Sequence, residues 1–336
     1  DVAEAAHDLC SSPPEVASRV RHGAFLSDAH LFGHSCFSIS AAEAAAMDPQ
    51  QRQLLERGYS SLHAAGLFKP ALLGAIVAVN VGQWQSEFGS VLMGTPAARS
   101  VYASTGFSCS VTCGRVSFAL GLQGPCASYD TACSASLVGN HGSVRALQRV
   151  ECASALSAGV NMILDRETMR GNAVAGFTSV RGRSHTFDAR ADGYARGEAI
   201  DGLACRLGDG QASFRLLGSA VRQDGRSASL TAPNGQAQQA LLRAAFSDAA
   251  VSAAALSCAE AHGTGTPLGD PTEGAALVAV YGRMERSAAL TVGAAKASIG
   301  HTDAASGQVG MLKVCKRAFA SANALLRLLN PLVGAQ

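Results

Sequence analysis

Residues 127–137 read ASYDTACSASL, a run in which one cysteine separates a strand-forming stretch from a helix-forming one. Gly124-Pro125 breaks the chain just before this run, and residues 126–129 have the composition of a short strand. The apolar residues that follow Cys133 have the spacing of a largely buried helix, and they are Leu137, Val138, Val144 and Leu147. The run therefore predicts a strand, a turn and a helix, with Cys133 at the turn.

The position of Cys133 at the start of a helix has chemical consequences. Unpaired backbone N–H groups and the positive end of the helix dipole favour a thiolate over a thiol there. The same N–H groups are suited to hold an oxyanion once the sulfur carries an acyl group. A free cysteine is, however, also a small apolar side chain that commonly fills a core. From this stretch alone, both interpretations of Cys133 stay open.

The composition of the 336-residue chain is typical of a compact body, with 48% hydrophobic and 15% charged residues. The net charge is +2 without a basic run, so neither nucleic acid nor a membrane is an expected partner. No apolar stretch reaches membrane-spanning length, and the N-terminus has no signal-peptide pattern. The ten cysteines are scattered in a chain too large to need disulfides. We therefore expect an intracellular protein with reduced cysteines, cytoplasmic unless it resides in an organelle.

Strand-like and helix-like stretches alternate along the chain. The predicted strands are residues 75–81, 126–129, 153–164, 199–206, 213–221, 255–261 and 290–295, with a hairpin turn at Asp209-Gly210. The predicted helices lie between Asp48 and Gly66, over 105–120, after Cys133, and over 236–249, 270–281 and 303–320. This order predicts a layered α/β fold with a mainly parallel sheet and two similar halves.

Two of these helices share a predicted start signal. Asp48 is the expected N-cap, with Pro49 at the first helical position and Gln51 closing a capping box. Residues 270–273, DPTE, repeat this pattern. No glycine pattern in the chain resembles a dinucleotide-binding fingerprint or a P-loop.

Two further segments place titratable residues at strand ends, where open α/β sheets have their active sites. In residues 260–271, EAHGTGTPLGDP, His262 follows a strand directly and stands in a glycine-rich loop. In residues 296–301, KASIGH, His301 stands just before a helix. A lone histidine is more often structural than catalytic, so neither segment decides the function by itself. Lys296 is one of only four lysines among 27 basic residues, which is weak support for a specific need for an ammonium group.

Taken together, these segments resemble the beta-ketoacyl synthase family, especially the ketosynthase domains of type I polyketide synthases and the related fatty acid synthases. The resemblance runs from about Val20 to the end and includes several long motifs in the family's order. These are AMDPQQR at 46–52, DTAC at 130–133, FDARADGYARGE at 187–198, LTAPN at 230–234, and the His262 and Lys296–His301 segments. It implies a thiolase-like fold, one domain of two related halves at about 1–165 and 166–336, and a homodimer.

The resemblance also implies a decarboxylative Claisen condensation that forms a carbon–carbon bond. Cys133 would hold the acyl chain as a thioester, while His262 and His301 would stabilise the enolate left when a malonyl-type extender loses carbon dioxide. Lys296 would organise the histidine pair electrostatically. The expected oxyanion and supporting residues are Cys133, Asp303, Thr264 and Thr266. No cofactor or metal is expected to bind directly, because the substrates would arrive on the phosphopantetheine arm of an acyl carrier protein, with neighbouring synthase domains as further partners.

The match to the family is incomplete in places. The family's glycine-rich first strand and its closing Gly-Phe-Gly loop, a source of the second oxyanion N–H, have no match, so we expect a chain truncated at both ends. Ser298 replaces the usual asparagine, Asp303 the usual glutamate and Ala199 a glycine. The shorter Asp303 side chain is expected to lose a hydrogen bond toward the Lys296 region.

Two hypotheses of different class follow from this sequence. The chain is either a condensing enzyme, or the bulk of one, or it is a truncated, non-catalytic ketosynthase-like module that binds partners or dimerises. A decarboxylase that makes no new bond is a weaker third possibility, because that activity usually accompanies loss of the cysteine and Cys133 is present.

Overall fold

The computed structural model describes residues 13–208, 212–282, 289–316 and 323–335. Its strands are β1 (Gly23–Ala24), β2 (Val77–Gln83), β3 (Cys126–Tyr129), β4 (Ser154–Asn161), β5 (Arg196–Gly197), β6 (Ala199–Cys205), β7 (Cys258–Glu260) and β8 (Thr291–Gly293). The main sheet has the order β3-β2-β4-β6, in which β6 is antiparallel to β4 and the other pairs are parallel. The strand pairs β1-β5 and β7-β8 are parallel two-stranded sheets.

Helices surround these sheets. Their bounds are Pro14–Arg19, Ala41–Ala46, Pro49–Ala64, Lys69–Leu72, Phe88–Met93, Ala103–Gly106, Cys109–Leu120, Ala135–Gln148, Arg166–Val174, Gly235–Ala249, Gly269–Tyr281, Lys296–Ile299, Ser306–Cys315 and Pro331–Gly334. Short 3-10 turns lie at His34–Phe37, Pro96–Arg99, Ala253–Ala255 and Asp303–Ala305. Within the described ranges, no helix has the length and hydropathy needed to cross a bilayer. The predicted layered α/β architecture is confirmed.

The strand β2 forms the centre of the core, and all seven of its residues are buried. Such a continuous buried run is typical of a parallel strand that is covered on both faces. Val79 and Val81 join the cluster formed with the helices Pro49–Ala64 and Cys109–Leu120, whereas Ala78 joins a second cluster with Ala146 and Leu147. Each fully buried valine or leucine contributes about 1.5–3 kcal/mol to the stability of these layers.

The helix Ala135–Gln148, called the nucleophile helix below, packs on the sheet through smaller residues than the sequence predicts. Its buried positions are Ala135, Ser136, Gly139, Asn140, Ser143, Ala146 and Leu147. Of the four predicted apolar contacts only Leu147 is buried, and Leu137 is 44% exposed. Small residues are needed because the helix backbone lies close to β2. A Cβ atom on Gly82 of β2 would lie 2.2 Å from the backbone nitrogen of Ser136.

One predicted strand is wrong and one predicted turn is untested. Residues 213–221 form no strand, and Asp209-Gly210 lies outside the described residues. Side chains occupy the backbone groups that a strand would use: the Ser219 N–H donates to the Asp248 carboxylate at 2.9 Å, and the Ser219 carbonyl accepts from Arg145 at 3.2 Å. This tertiary attachment replaces the expected strand.

Of the two predicted helix N-caps, Asp48 is confirmed and Asp270 is wrong. Asp48 caps the helix Pro49–Ala64 by accepting a hydrogen bond from the Gln50 N–H at 2.7 Å. Gln51 closes no capping box, because its side-chain amide donates to the carbonyl of Thr105 instead. Asp270 is not a cap at all; it lies inside the helix Gly269–Tyr281.

Candidate active site

Cys133 lies at the predicted turn between β3 and the nucleophile helix. Asp130 stabilises this turn by accepting a hydrogen bond from the Ala132 N–H at 3.1 Å. Ala132 has a φ of +51°, a left-handed conformation that is common for Gly, less so for Asn and Asp, and rare for other residues. The Cys133 carbonyl accepts a hydrogen bond from the Ser306 hydroxyl at 3.1 Å, which ties the nucleophile to the second half of the chain.

The structure corrects the expected acidity of Cys133. Burial raises the pKa of its thiol, while the Lys296 ammonium and the cysteine's own backbone N–H act in the opposite direction. The carboxylate of Asp303 adds to the increase. The helix start therefore does not leave Cys133 as a ready thiolate, because desolvation at this site outweighs the favourable groups.

His262 follows β7, and its loop is held by a half-buried carboxylate. Glu273 accepts hydrogen bonds from the backbone N–H groups of His262 at 2.6 Å and Gly263 at 2.8 Å. Gly263 has a φ of +51°, which favours glycine. This loop brings the Nε2 atom of His262 to 3.7 Å from the Sγ atom of Cys133.

His301 is held from both sides by backbone hydrogen bonds. Its N–H donates to the Ala195 carbonyl at 2.7 Å, and its carbonyl accepts from the Gly197 N–H at 2.7 Å. The Asp303 N–H donates to the Nδ1 atom of His301 at 3.0 Å. A ring nitrogen that accepts carries no proton, so neutral His301 has its proton on Nε2. The ring of Tyr194 packs against it at an angle of 60°, with centroids 4.7 Å apart.

The three predicted site residues meet in one place. The Sγ atom of Cys133 and one ring nitrogen each of His262 and His301 all lie within 4.8 Å of one another. The two imidazole rings are nearly perpendicular, with centroids 5.6 Å apart. Lys296, 6% exposed, is near enough for its ammonium to influence all three electrostatically.

Both histidines are neutral at physiological pH. Burial lowers the pKa of His301 well below its usual range, and the Lys296 ammonium lowers it further. The same two causes lower the pKa of His262, although its ring has exposed surface that weakens the desolvation. Burial also lowers the pKa of Lys296, against the combined attraction of Cys133 and the carboxylates around it.

A cysteine and two histidines at this spacing are also a possible ligand set for a soft divalent metal such as Zn²⁺. A metal at the Nε2 atom of His301 would need the lone pair of that nitrogen, which would move the ring proton to Nδ1. That proton would then face the Asp303 N–H, so two donors would oppose each other. The hydrogen bonding at His301 thus favours a hydrogen-bond donor to an oxyanion over a metal ligand.

The predicted supporting residues have other immediate partners. The Asp303 carboxylate accepts from the Nε atom of Arg196 at 3.2 Å, not from the Lys296 region. The hydroxyls of Thr264 and Thr266 contact each other at 3.1 Å, and the Thr266 hydroxyl also accepts from the Gly269 N–H. Both threonines therefore shape the His262 loop, and their predicted role at the oxyanion stays a prediction.

Sequence reasoning misses three residues that build the site, namely Glu273, Tyr194 and Arg196. Glu273 belongs to a segment that reads as a helix start, and only its short sequence distance from His262 suggests a contact. Tyr194 and Arg196 lie inside the quoted segment 187–198, whose unusual mix of charged and aromatic residues is a signal without an assigned role.

The comparisons with known proteins identify the family. The family model "Beta-ketoacyl synthase, N-terminal domain" matches residues 3–204, and "Beta-ketoacyl synthase, C-terminal domain" matches residues 214–318. The chain belongs to the beta-ketoacyl synthase family. It is 42% identical over 303 residues to erythronolide synthase EryA2 of Saccharopolyspora erythraea, covering 88% of this chain and 8% of that protein. It is 42% identical over 315 residues to the pikromycin polyketide synthase component PikAII of Streptomyces venezuelae, covering 91% of this chain and 8% of that protein.

A solved structure supports the same conclusion. The ketosynthase from module 6 of the bacillaene synthase from Bacillus subtilis 168 superposes with a TM-score of 0.87 at 30% identity. The superposition covers 96% of this chain and 56% of that one. This beta-ketoacyl synthase chain therefore has the predicted thiolase-like fold. It spans 8% of each of the two curated relatives and about half of the solved chain.

Proposed function

We propose that this chain catalyses a decarboxylative Claisen condensation between an acyl thioester on Cys133 and a malonyl-type extender. The observation that carries this proposal is the convergence of the Cys133 sulfur with two neutral imidazoles, His262 at 3.7 Å and His301 beside it. A neutral imidazole can donate a hydrogen bond to a developing oxyanion without first losing a proton.

The first half-reaction loads the enzyme. The Cys133 sulfur attacks the carbonyl carbon of an acyl thioester, a sulfur–carbon bond forms, and the bond to the incoming carrier's sulfur breaks. The proton of Cys133 ends on the departing carrier thiol, so the step is balanced. Because burial raises the pKa of Cys133, this proton must leave as the bond forms, and the neutral ring of His262 is the nearest group that can relay it.

The second half-reaction forms the new bond. The malonyl carboxylate leaves as carbon dioxide, and its electron pair forms an enolate whose oxygen lies between the donors of His262 and His301. The enolate carbon attacks the acyl carbon on Cys133, and the sulfur leaves. The thiolate takes a proton from solvent, which restores Cys133. Burial keeps both rings neutral, and the Lys296 ammonium helps by disfavouring a second positive charge nearby.

The wider setting of the reaction is also proposed. Both substrates would be thioesters on the phosphopantetheine arm of an acyl carrier protein, and the product a beta-ketoacyl thioester. The similarity to a pikromycin polyketide synthase component supports a polyketide pathway over fatty acid synthesis. A homodimer and neighbouring synthase domains remain part of this proposal. The assembled site favours the enzyme over a non-catalytic module.

Two matched measurements test the function. Incubation with an acyl-pantetheine thioester, followed by intact mass measurement, should add one acyl group to the protein. Cys133→Ala should prevent this addition, whereas Cys126→Ala, at an exposed cysteine, should leave it unchanged. Acylated protein should then release labelled carbon dioxide from a malonyl thioester and form a beta-ketoacyl product; a protein that is acylated but forms no product would refute the condensation.

A further inference from the structure

An arginine with no exposed surface lies behind His301. Arg196 is 0% exposed, and its guanidinium is held between two carboxylates. One nitrogen donates to Glu87 at 2.7 Å and another donates to Asp303 at 3.2 Å. A buried arginine in such a two-sided arrangement has a fixed position and orientation, because its planar fork is satisfied in only one geometry.

The surroundings of Arg196 fix it further. Glu87 also accepts hydrogen bonds from the backbone N–H groups of Leu164 and Asp165, each at 2.8 Å, so this carboxylate is anchored independently. The ring of Trp84 lies 5.5 Å from the guanidinium carbon, within the range of a cation–π interaction. Glu87 and Trp84 thus hold the Arg196 guanidinium in one position.

Asp303 connects the Arg196 guanidinium to the active site. Asp303 has a φ of +39°, in the left-handed region that Asp adopts more readily than most residues with a side chain. The Asp303 N–H donates a hydrogen bond to the Nδ1 atom of His301 at 3.0 Å. Since the Asp303 carboxylate is bonded to Arg196, the ion pair holds the residue in the conformation that makes the backbone hydrogen bond.

We infer that Arg196 is a positioning residue for His301: through Asp303, it fixes the tautomer in which Nε2 carries the proton. The catalytic meaning of this inference rests on the proposed function, because only an Nε2 donor can stabilise the enolate oxygen. The tautomer itself does not depend on turnover and can be measured directly.

Two single variants test the inference independently. Arg196→Lys retains the positive charge but cannot donate to Glu87 and Asp303 in the same planar geometry. Asp303→Asn keeps the backbone N–H but removes the carboxylate that Arg196 holds. Arg115→Lys is a matched control, because Arg115 is also buried and paired, with Glu43 at 2.6 Å, but belongs to a different cluster.

The first measurement is the histidine tautomer in full-length protein labelled with ¹⁵N-histidine, with the His301 signals assigned by their loss in His301→Gln. Wild type and Arg115→Lys should show a single Nε2–H tautomer for His301. Each of the two test variants should show a mixture with Nδ1–H. Far-ultraviolet circular dichroism and a cooperative urea transition report whether each variant is folded, because Trp84 contacts Arg196 and its emission would respond to the substitution itself. Either folded variant is sufficient for the test, and an unchanged tautomer in a folded variant would overturn the inference.

The second measurement separates positioning from general damage. Release of carbon dioxide from a malonyl thioester should fall in proportion to the population that has lost the Nε2 proton, about tenfold where nine-tenths of the protein has the Nδ1–H tautomer. Acylation of Cys133 should stay within about twofold in both test variants. Equal losses in both steps would indicate a merely structural role. If the wild type released no carbon dioxide, the proposed function would fail, and the tautomer result would still decide the inference.

Discussion

Cys133 and His301 lie in the same site but are held there in different ways. Cys133 depends on its own neighbourhood in the sequence, through the turn at Asp130 and the left-handed Ala132. His301 depends on residues that are distant in the sequence. The Ala195 carbonyl accepts a hydrogen bond from its N–H, and Arg196 is bonded to the carboxylate of the nearby Asp303. The first arrangement is local and the second is tertiary, so they should respond differently to mutation.

Removing the sulfur has the largest expected effect. Cys133→Ala should abolish acylation completely while changing the free energy of unfolding by less than about 1 kcal/mol, because the turn is made by backbone and by Asp130. Intact mass measurement and urea denaturation check the two parts. A protein that becomes much less stable would mean that the thiol is needed by the fold as well as by the chemistry.

A change at Glu273 tests the tertiary support of His262. Glu273→Gln offers one acceptor oxygen where the carboxylate now binds two backbone N–H groups, so one of these N–H groups loses its bond to a charged acceptor. The expected cost is about 1–3 kcal/mol of stability, with a parallel decrease in carbon dioxide release. Glu167→Gln, on an exposed helical surface, is the control and should change neither quantity. Equal behaviour of the two variants would contradict the role given to Glu273.

The neutral histidines predict a pH dependence of stability. The pKa of His301 is lower in the folded than in the unfolded chain. Below about pH 6.5, His301 is therefore protonated in the unfolded chain but stays neutral in the folded chain. The stabilisation from neutral His301 is therefore complete above pH 6.5 and is lost as the pH falls. Relative to His301→Gln, the wild type should lose up to about 1.4 kcal/mol per pH unit below that value. A difference between the two proteins that stays constant from pH 7 to pH 5 would show that His301 is not neutralised by its environment.

The smallest effect is expected at Ser306, the link between the two regions. Ser306→Ala removes the hydrogen bond to the Cys133 carbonyl and should cost about 0.5–1.5 kcal/mol, with acylation slowed only a few-fold. Ser60→Ala removes a hydroxyl that donates to the Glu56 carbonyl on the exposed face of its helix, and it serves as the control. A loss of acylation as complete as in Cys133→Ala would mean that the nucleophile is held by the second half of the chain and not by its own turn.

The same contrast explains what can be predicted from the sequence. The strand at residues 126–129 and the position of Cys133 depend on neighbouring residues, and both predictions are confirmed. The end of the helix Cys109–Leu120 at Gly121, which has a φ of +71°, is equally local because glycine adopts this conformation readily. The meeting of the three site residues is predicted only through the family resemblance, because no local pattern joins residues so far apart.

The failed predictions all concern tertiary partners. Residues 213–221 look like a strand, but Ser219 is bonded to side chains of two helices. Asp270 looks like a helix cap, but it accepts hydrogen bonds from the N–H groups of Phe187 and Gly265. The pKa of Cys133 is higher than the sequence predicts, because its position at a helix start indicates favourable N–H groups but not how deeply the thiol is buried. In each case the tertiary surroundings compete with the local signal and prevail.

The central claim is that Cys133 holds the acyl group while the neutral histidines serve the enolate. Its most direct test is a single-turnover experiment that follows acylation by intact mass and labelled carbon dioxide release side by side, in wild type and in His301→Ala. We expect His301→Ala to be acylated at nearly the wild-type rate but to release carbon dioxide at least about 100-fold more slowly. Unchanged release, or acylation lost in proportion to release, would contradict it.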